Sequence, residues 1–354
     1  MKKRNNNIDF LRGIATLCIV LIHTAFWSGE LYLPNWFKNL SLIVDVPVFM
    51  YISGISFSFI NSISKNVMSL IKQWKKWIFF VLVYALIILI FYRTEFSLKD
   101  FLCWIVYYFP NKTSLVVVGG SIWFWIMYIK VTMLCSIIIH LNNCLEKDKE
   151  KNIRNLIYIE LLIMMMYIYS TSSNTNTYFI DTKTLFYSII YVLGYLSINY
   201  KINIRKTIIY ELTTIIITCL LFSIYSFKIA DLQVIKGSVL IPYLPFSLLS
   251  VILFWYLKDK LKIKEKNPIN YIGRNALWFY FAQGISSSLL YYVYGHINNH
   301  HYLIVFTIML TLNLAMSIII AILLEKVYNL FSHHRLSGII IKIVKKISPQ
   351  KIND

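Results

Sequence analysis

Charge is scarce in this chain. Only 14% of its 354 residues are Asp, Glu, Lys or Arg, whereas soluble domains average about 25%. No polar segment is long enough to fold as a separate soluble domain, and no internal repeat or low-complexity tract breaks the sequence. Cysteine is rare too. The five, Cys18, Cys103, Cys135, Cys144 and Cys219, are odd in number, contain no Cys-x-x-Cys pair and lie mostly in apolar runs. That argues against a disulfide framework or a zinc site and leaves them as small packing residues. The net charge of +19 does not point to nucleic acid, because no polar domain exists to hold such a site. Anionic lipid headgroups are the natural partners of these lysines.

What the chain has in abundance is apolar length. Hydrophobic residues make up 58%, in runs of about twenty that recur from the first quarter to the last. Continuous runs of this length predict membrane-spanning helices, where a barrel would show short alternating strands. The expected fold is an all-α polytopic membrane bundle of about ten helices. The spans fall near 8–28, 41–61, 76–93, 120–140, 154–170, 183–199, 207–227, 238–257, 271–294 and 302–324. The run 101–109 is too short to cross and ends at Pro110, which suggests a re-entrant or interfacial segment. With a cytoplasmic N-terminus, 26 of the 35 Lys and Arg fall on the inner side and 7 on the outer, with Arg12 and Lys130 inside spans. The positive-inside rule then places both termini in the cytoplasm and the protein in the inner membrane. The basic N-terminus and the apolar stretch after it lack a small-residue cleavage site, so they read as a retained first helix. The domain division is a transmembrane unit over 1–330 and a basic cytoplasmic tail over 331–354.

Ionisable groups inside spans are functional candidates by default. Arg12 and His23 are eleven residues apart, just over three helical turns, so they share one face with ~16 Å between them along the axis. Arg12 then lies near the cytoplasmic surface and His23 past the midplane. The alternatives are an arginine that snorkels to the headgroups and a packing histidine. Asp45, entering the second helix from the far side, comes to a depth like that of His23. It is placed either to orient the imidazole or to cap its own helix. Ser53-Gly54 follows, where glycine lets a backbone or an acyl chain approach closely. Lys72, Lys75 and Lys76, interleaved with Trp74 and Trp77, form a basic interfacial cluster suited to phosphates, or simply a positive-inside aromatic belt. Lys130 is too deep in the fourth run to snorkel, so it is expected to face a polar cavity or a carboxylate; Glu160 and Glu211 are candidate partners. The histidines of HINNHH (296–301) sit alone in an outer loop, and no metal site is expected.

Four patches, in order, resemble the membrane acyltransferase 3 family: IDFLRGIATLCIVLIH (Ile8–His23), VDVPVFMYISGISFS (Val44–Ser58), SIWFWIMYIK (Ser121–Lys130) and NYIGRNALWFYFAQG (Asn270–Gly284). The resemblance covers the whole chain, and its first motif is the most specific. It implies transfer of an acyl group, usually acetyl, from cytoplasmic acyl-CoA to a surface glycan or lipid-linked sugar. By position, His23 matches the essential histidine and Arg12 its partner. Lys72 and Lys75 stand where the family often has Arg-x-x-Arg, and Gln283 where members commonly have a histidine.

These residues compose a mechanism. His23 is expected to act as general base for a sugar hydroxyl, or else as an acyl carrier, with Asp45 orienting it. Arg12 with Lys72, Lys75 and Lys76 would hold CoA phosphates. Ser53, Gly54, Trp123 and Lys130 are expected to line the substrate path. The rival class is a transporter or flippase that moves a lipid-linked glycan without chemistry. Against it, no Gly/Pro-broken spans recur in matching halves.

Overall fold

The computed structural model describes residues 5–60, 62–106, 115–121, 123–173, 181–297 and 300–347; side chains of 106, 173 and 333–347 are outside the description. The described residues are mostly helical, without a strand. In order they form α1 (Asn6–Phe26), α2 (Asn35–Ser41), α3 (Val46–Ile60), α4 (Ile63–Phe91), α5 (Leu98–Val106), α6 (Val116–Ser121), α7 (Trp123–Leu145), α8 (Lys149–Ser173), α9 (Thr182–Leu196), α10 (Ile204–Ile224), α11 (Leu232–Ser238), α12 (Tyr243–Lys260), α13 (Pro268–Arg274), α14 (Ala276–Tyr294) and α15 (Tyr302–Ile347). Each of the ten expected runs contains a helix. The short run near 101 begins as α5, while 107–114 lie outside the described residues, as do Lys2, Lys3 and Arg4. α15 continues to Ile347, so the tail expected from 331 starts as an extension of the last helix; 348–354 are outside the description.

Among the described residues, seven segments are long and apolar enough to cross a membrane, or eight if the pair Ile229–Ser238 and Tyr243–Lys260, bent by 93°, counts as one span. α9 and α14 fall short of that measure for a physical reason. α9 has only 15 residues and is buried along most of its length. α14 carries Gln283, Ser286, Ser287 and Ser288, all buried. Such helices are wrapped by others and need no lipid-compatible exterior. α8 and α10, by contrast, show apolar side chains outward over most of their surface, as lipid-facing helices do.

Local signals set the boundaries. Asn5 caps α1 by accepting from the Asn7 and Ile8 amides, and Asn267 caps α13, which opens on Pro268. Asp148 caps α8: the backbone N–H groups of Lys151 and Glu150 bond its exposed carboxylate and hold it below the usual carboxylate range.

Two glycine contacts bring the central helices close. A Cβ on Gly54 would overlap the Tyr191 carbonyl, and one on Gly194 the Tyr51 carbonyl, so α3 and α9 cross backbone to backbone. The Gly13–Gly273 contact does the same for α1 and α13. α1 is also tied at both ends. Asn7 Nδ2 donates to the Lys258 carbonyl at 3.2 Å. At the other end, Asn313 Nδ2 donates to Thr24 Oγ1 at 2.8 Å and to Ser287 Oγ at 2.9 Å, while its Oδ1 accepts from Ser286 at 2.6 Å. On the far side of α4, Phe80 stacks on Phe281 at 4.4 Å. α1 thus stands as a fixed post between α3, α13, α14 and α15.

Candidate active site

Alongside α1 runs a cavity of about 1000 Å³, at the upper end of the size usual for ligand pockets. Its wall follows helical periodicity. From α1 it takes Ile8 and then Asp9, Arg12, Thr16, Ile19 and His23, the last five spaced three or four residues apart. Arg12 and His23 therefore line one continuous space, ~16 Å apart along the helix. The other walls repeat the rule. α4 gives Asn66, Ser69, Gln73 and Lys76; α3 gives Phe49, Ser53, Ser56 and Phe57; α7 gives Phe124, Trp125, Tyr128 and Thr132; α14 gives Tyr280 and Gln283.

At one end Asp9 is buried between two arginines. Arg12 Nη1 donates to Asp9 Oδ1 at 3.5 Å, and Arg274 Nε to Oδ2 at 3.3 Å. Arg12 Nη2 also donates to Ser56 Oγ at 2.7 Å. Lys76 joins them, its Nζ 5.1 Å above the Trp278 ring. At the other end are His23, Trp123, Asp45 and Lys236. Lys183 stands 5.2 Å above the Trp123 ring.

The contact expected between Asp45 and His23 is not made. Asp45 instead accepts from Lys236 Nζ at 2.7 Å and from the Tyr243 hydroxyl at 3.0 Å, while His23 Nδ1 is buried without a hydrogen-bond partner among the described residues. Buried orphan atoms are rare in native structures, and here they cluster. Asn66 Nδ2, Trp125 Nε1, Thr132 Oγ1, Tyr191 OH and Gln283 Oε1 are likewise unpartnered, and all belong to residues of the same cavity wall.

Several expected site residues face elsewhere, and one geometric fact accounts for each. A step of one residue turns a helix by about 100°. Lys72 and Lys75 precede the lining residues Gln73 and Lys76 by one position and are exposed. Gly54 follows the lining residue Ser53 and packs on α9 instead of touching the cavity. Lys130 lies two positions past Tyr128, half-buried and outside the cavity wall. Arg274 and Lys236 were not anticipated. Arg274 carries a sequence signal, a charge closing Ile-Gly-Arg before an apolar helix, and Asn66, Ser69, Gln73 and Lys76 form a legible polar stripe. Lys236 carries no such signal, since a single lysine in a short outer segment looks like any loop charge.

The model of the acyltransferase 3 family, an acyltransferase domain, matches residues 5–324. No curated protein and no solved structure matches the chain. The matched region includes every wall of the cavity, and over nearly its whole length this multi-pass membrane protein is an O-acyltransferase belonging to the acyltransferase 3 family.

Proposed function

We propose that this enzyme moves an acyl group, acetyl in the first instance, from cytoplasmic acyl-CoA to a hydroxyl of a cell-surface or lipid-linked glycan at the inner membrane. The observation that carries the reading is the single cavity with cations at one end and a histidine at the other, ~16 Å apart on one helix. That offset is comparable to the reach of a pantetheine arm. CoA phosphates would bind Arg12, Arg274 and Lys76 from the cytoplasmic mouth. Guanidinium groups suit phosphate because they donate in pairs. The thioester then lies beside His23, and the sugar enters past Ser53 and Trp123, whose indole offers a stacking face.

A sugar hydroxyl is too weakly acidic to ionise freely, so a base must take its proton as the attack begins. His23, set in the cavity wall and only partly buried, supports that role. The hydroxyl oxygen bonds to the thioester carbon, the C–S bond breaks, and the proton held by His23 goes to the departing thiolate. The reaction is tested by giving radiolabelled acetyl-CoA to membranes that contain the full chain and following label into glycan, with mass spectrometry of the surface polysaccharide. Acetyl groups that depend on this chain and on His23 are the expected result. Glycan that crosses the membrane without label would replace this reading with transport.

A further inference from the structure

The pair Asp45–Lys236 is the feature the mechanism above does not use. A buried ion pair is a poor way to tie helices together, since apolar replacements of equal volume are often as stable. Its surroundings are nevertheless elaborate. Lys236 lies on the short helix α11, and both ends of that helix are fixed. At the entry, the buried Asn39 donates Nδ2 to the carbonyls of Ile229 at 2.8 Å and Ala230 at 3.3 Å. At the exit, Val239 adopts φ 51°, ψ 51°, a left-handed conformation that a β-branched residue rarely takes and that marks sites where structure is held for a purpose. The Tyr167 hydroxyl bonds the Val239 carbonyl at 2.9 Å. The 93° break follows, and Tyr243, which starts the next helix, donates to Asp45.

All of this sets one ammonium in the cavity wall at the His23 end. Lys236, Asp45 and His23 line the same cavity. An ammonium has three N–H donors. Asp45 takes one, and the Lys236 side chain keeps 13% of its surface accessible.

Acyl transfer has a use for such a group. When the sugar oxygen adds to the thioester carbon, the carbonyl electrons move onto oxygen and His23 accepts the hydroxyl proton. Collapse restores the carbonyl, breaks the C–S bond and returns the proton to the thiolate. The oxyanion between these steps needs donors fixed in advance. Past their first turns, membrane helices use their backbone N–H groups internally, and a charged side chain is the stronger donor. We propose that Lys236 Nζ is the catalytic group that stabilises the oxyanion, and that Asp45 is a positioning residue for Lys236, not for His23. The inference rests on the acyl-transfer reading with His23 as base.

The test uses the full chain in native membranes, with radiolabelled acetyl-CoA as donor and the membrane glycan as acceptor. Lys236→Met is expected to lower kcat about 100-fold or more and to leave KM for acetyl-CoA unchanged. Lys236→Arg, which keeps the charge and the donors, restores much of the rate. Asp45→Asn slows the wild-type enzyme but adds nothing to Lys236→Met, because it acts through Lys236. The Asp45→Asn/Lys236→Met double variant leaves no charge unpaired, so it folds even where a single variant does not, and it must be as slow as Lys236→Met. A double variant turning over at close to the wild-type rate overturns the proposal. So does an Asp45→Asn loss that multiplies fully with that of Lys236→Met. If His23→Ala is itself active, the parent reading falls instead; if His23→Ala is dead and the double variant active, only this inference does.

Discussion

The two ends of the cavity follow opposite electrostatic plans. At the Arg12 end three cations of the wall, Arg12, Arg274 and Lys76, face a single lining carboxylate, Asp9. At the His23 end the lining charges balance, Lys236 against Asp45, and the group left over is the His23 imidazole. A surplus of positive charge holds anions. A corner of balanced charge that presents an imidazole is suited to move a proton. The difference teaches that binding and chemistry can be divided along one helix, and it is open to direct attack.

The largest expected effect comes from removing the proposed base. His23→Ala should lower kcat by about 10²–10⁴-fold, the usual contribution of general base catalysis, with KM for acetyl-CoA little changed in initial-rate measurements. A rise in KM with kcat preserved would erase the division, because it would make His23 a binding group.

The converse holds at the other end. Arg274→Ala and Arg12→Ala should each raise KM for acetyl-CoA roughly 10–100-fold, the equivalent of losing a charged hydrogen bond of about 1.5–3 kcal/mol, and leave kcat nearly intact. Added salt should weaken donor binding to the wild-type enzyme more than to either variant, since screening acts on charges already lost in the variants. A fall in kcat without a change in KM would assign these arginines to the chemistry.

A smaller effect separates the two faces of one wall. Ser53 lines the cavity and Gly54, one residue on, meets α9. Gly54→Ala should destabilise the protein by about 1–3 kcal/mol, as overpacking of a close contact does, read as a lower melting temperature in detergent. Ser53→Ala should leave melting alone and change only the kinetics. Equal melting losses would mean that the cavity and the helix crossing are not independent.

How far the sequence could be read follows from the same geometry. Apolar length located a helix in each expected run, and the eleven-residue spacing put Arg12 and His23 on one wall, because a period of 3.6 survives any tertiary arrangement. The face a helix turns to its neighbours was less legible. Lys72, Lys75, Gly54 and Lys130 were chosen by residue type, and each is one or two positions from a lining residue, which is enough to turn it away. The middle of the bundle shows where length and hydropathy stop informing: α9 and α14, both read as spans, are short or polar because other helices surround them. The partner of Asp45 was out of reach altogether. Lys236 is 191 residues distant in sequence, and its position depends on the turn at Val239, which no periodic pattern announces.

The smallest expected effect sharpens the cation surplus to individual residues. Lys76 lines the cavity beside Trp278, whereas Lys72 and Lys75 are exposed on another face of α4. If donor binding depends on charges that touch the ligand, Lys76→Gln should raise KM for acetyl-CoA several-fold, and Lys72→Gln and Lys75→Gln should scarcely move it, because exposed charges at such distances are screened within about 10 Å at 0.1 M salt. The same three variants compared at low ionic strength distinguish contact from steering. A diffuse field that draws CoA to the membrane surface would make all three alike at low salt and lose the difference from wild type at high salt. A Lys76 effect that persists at high salt, with the other two silent, locates the surplus in the cavity itself and not on the exposed face of the helix.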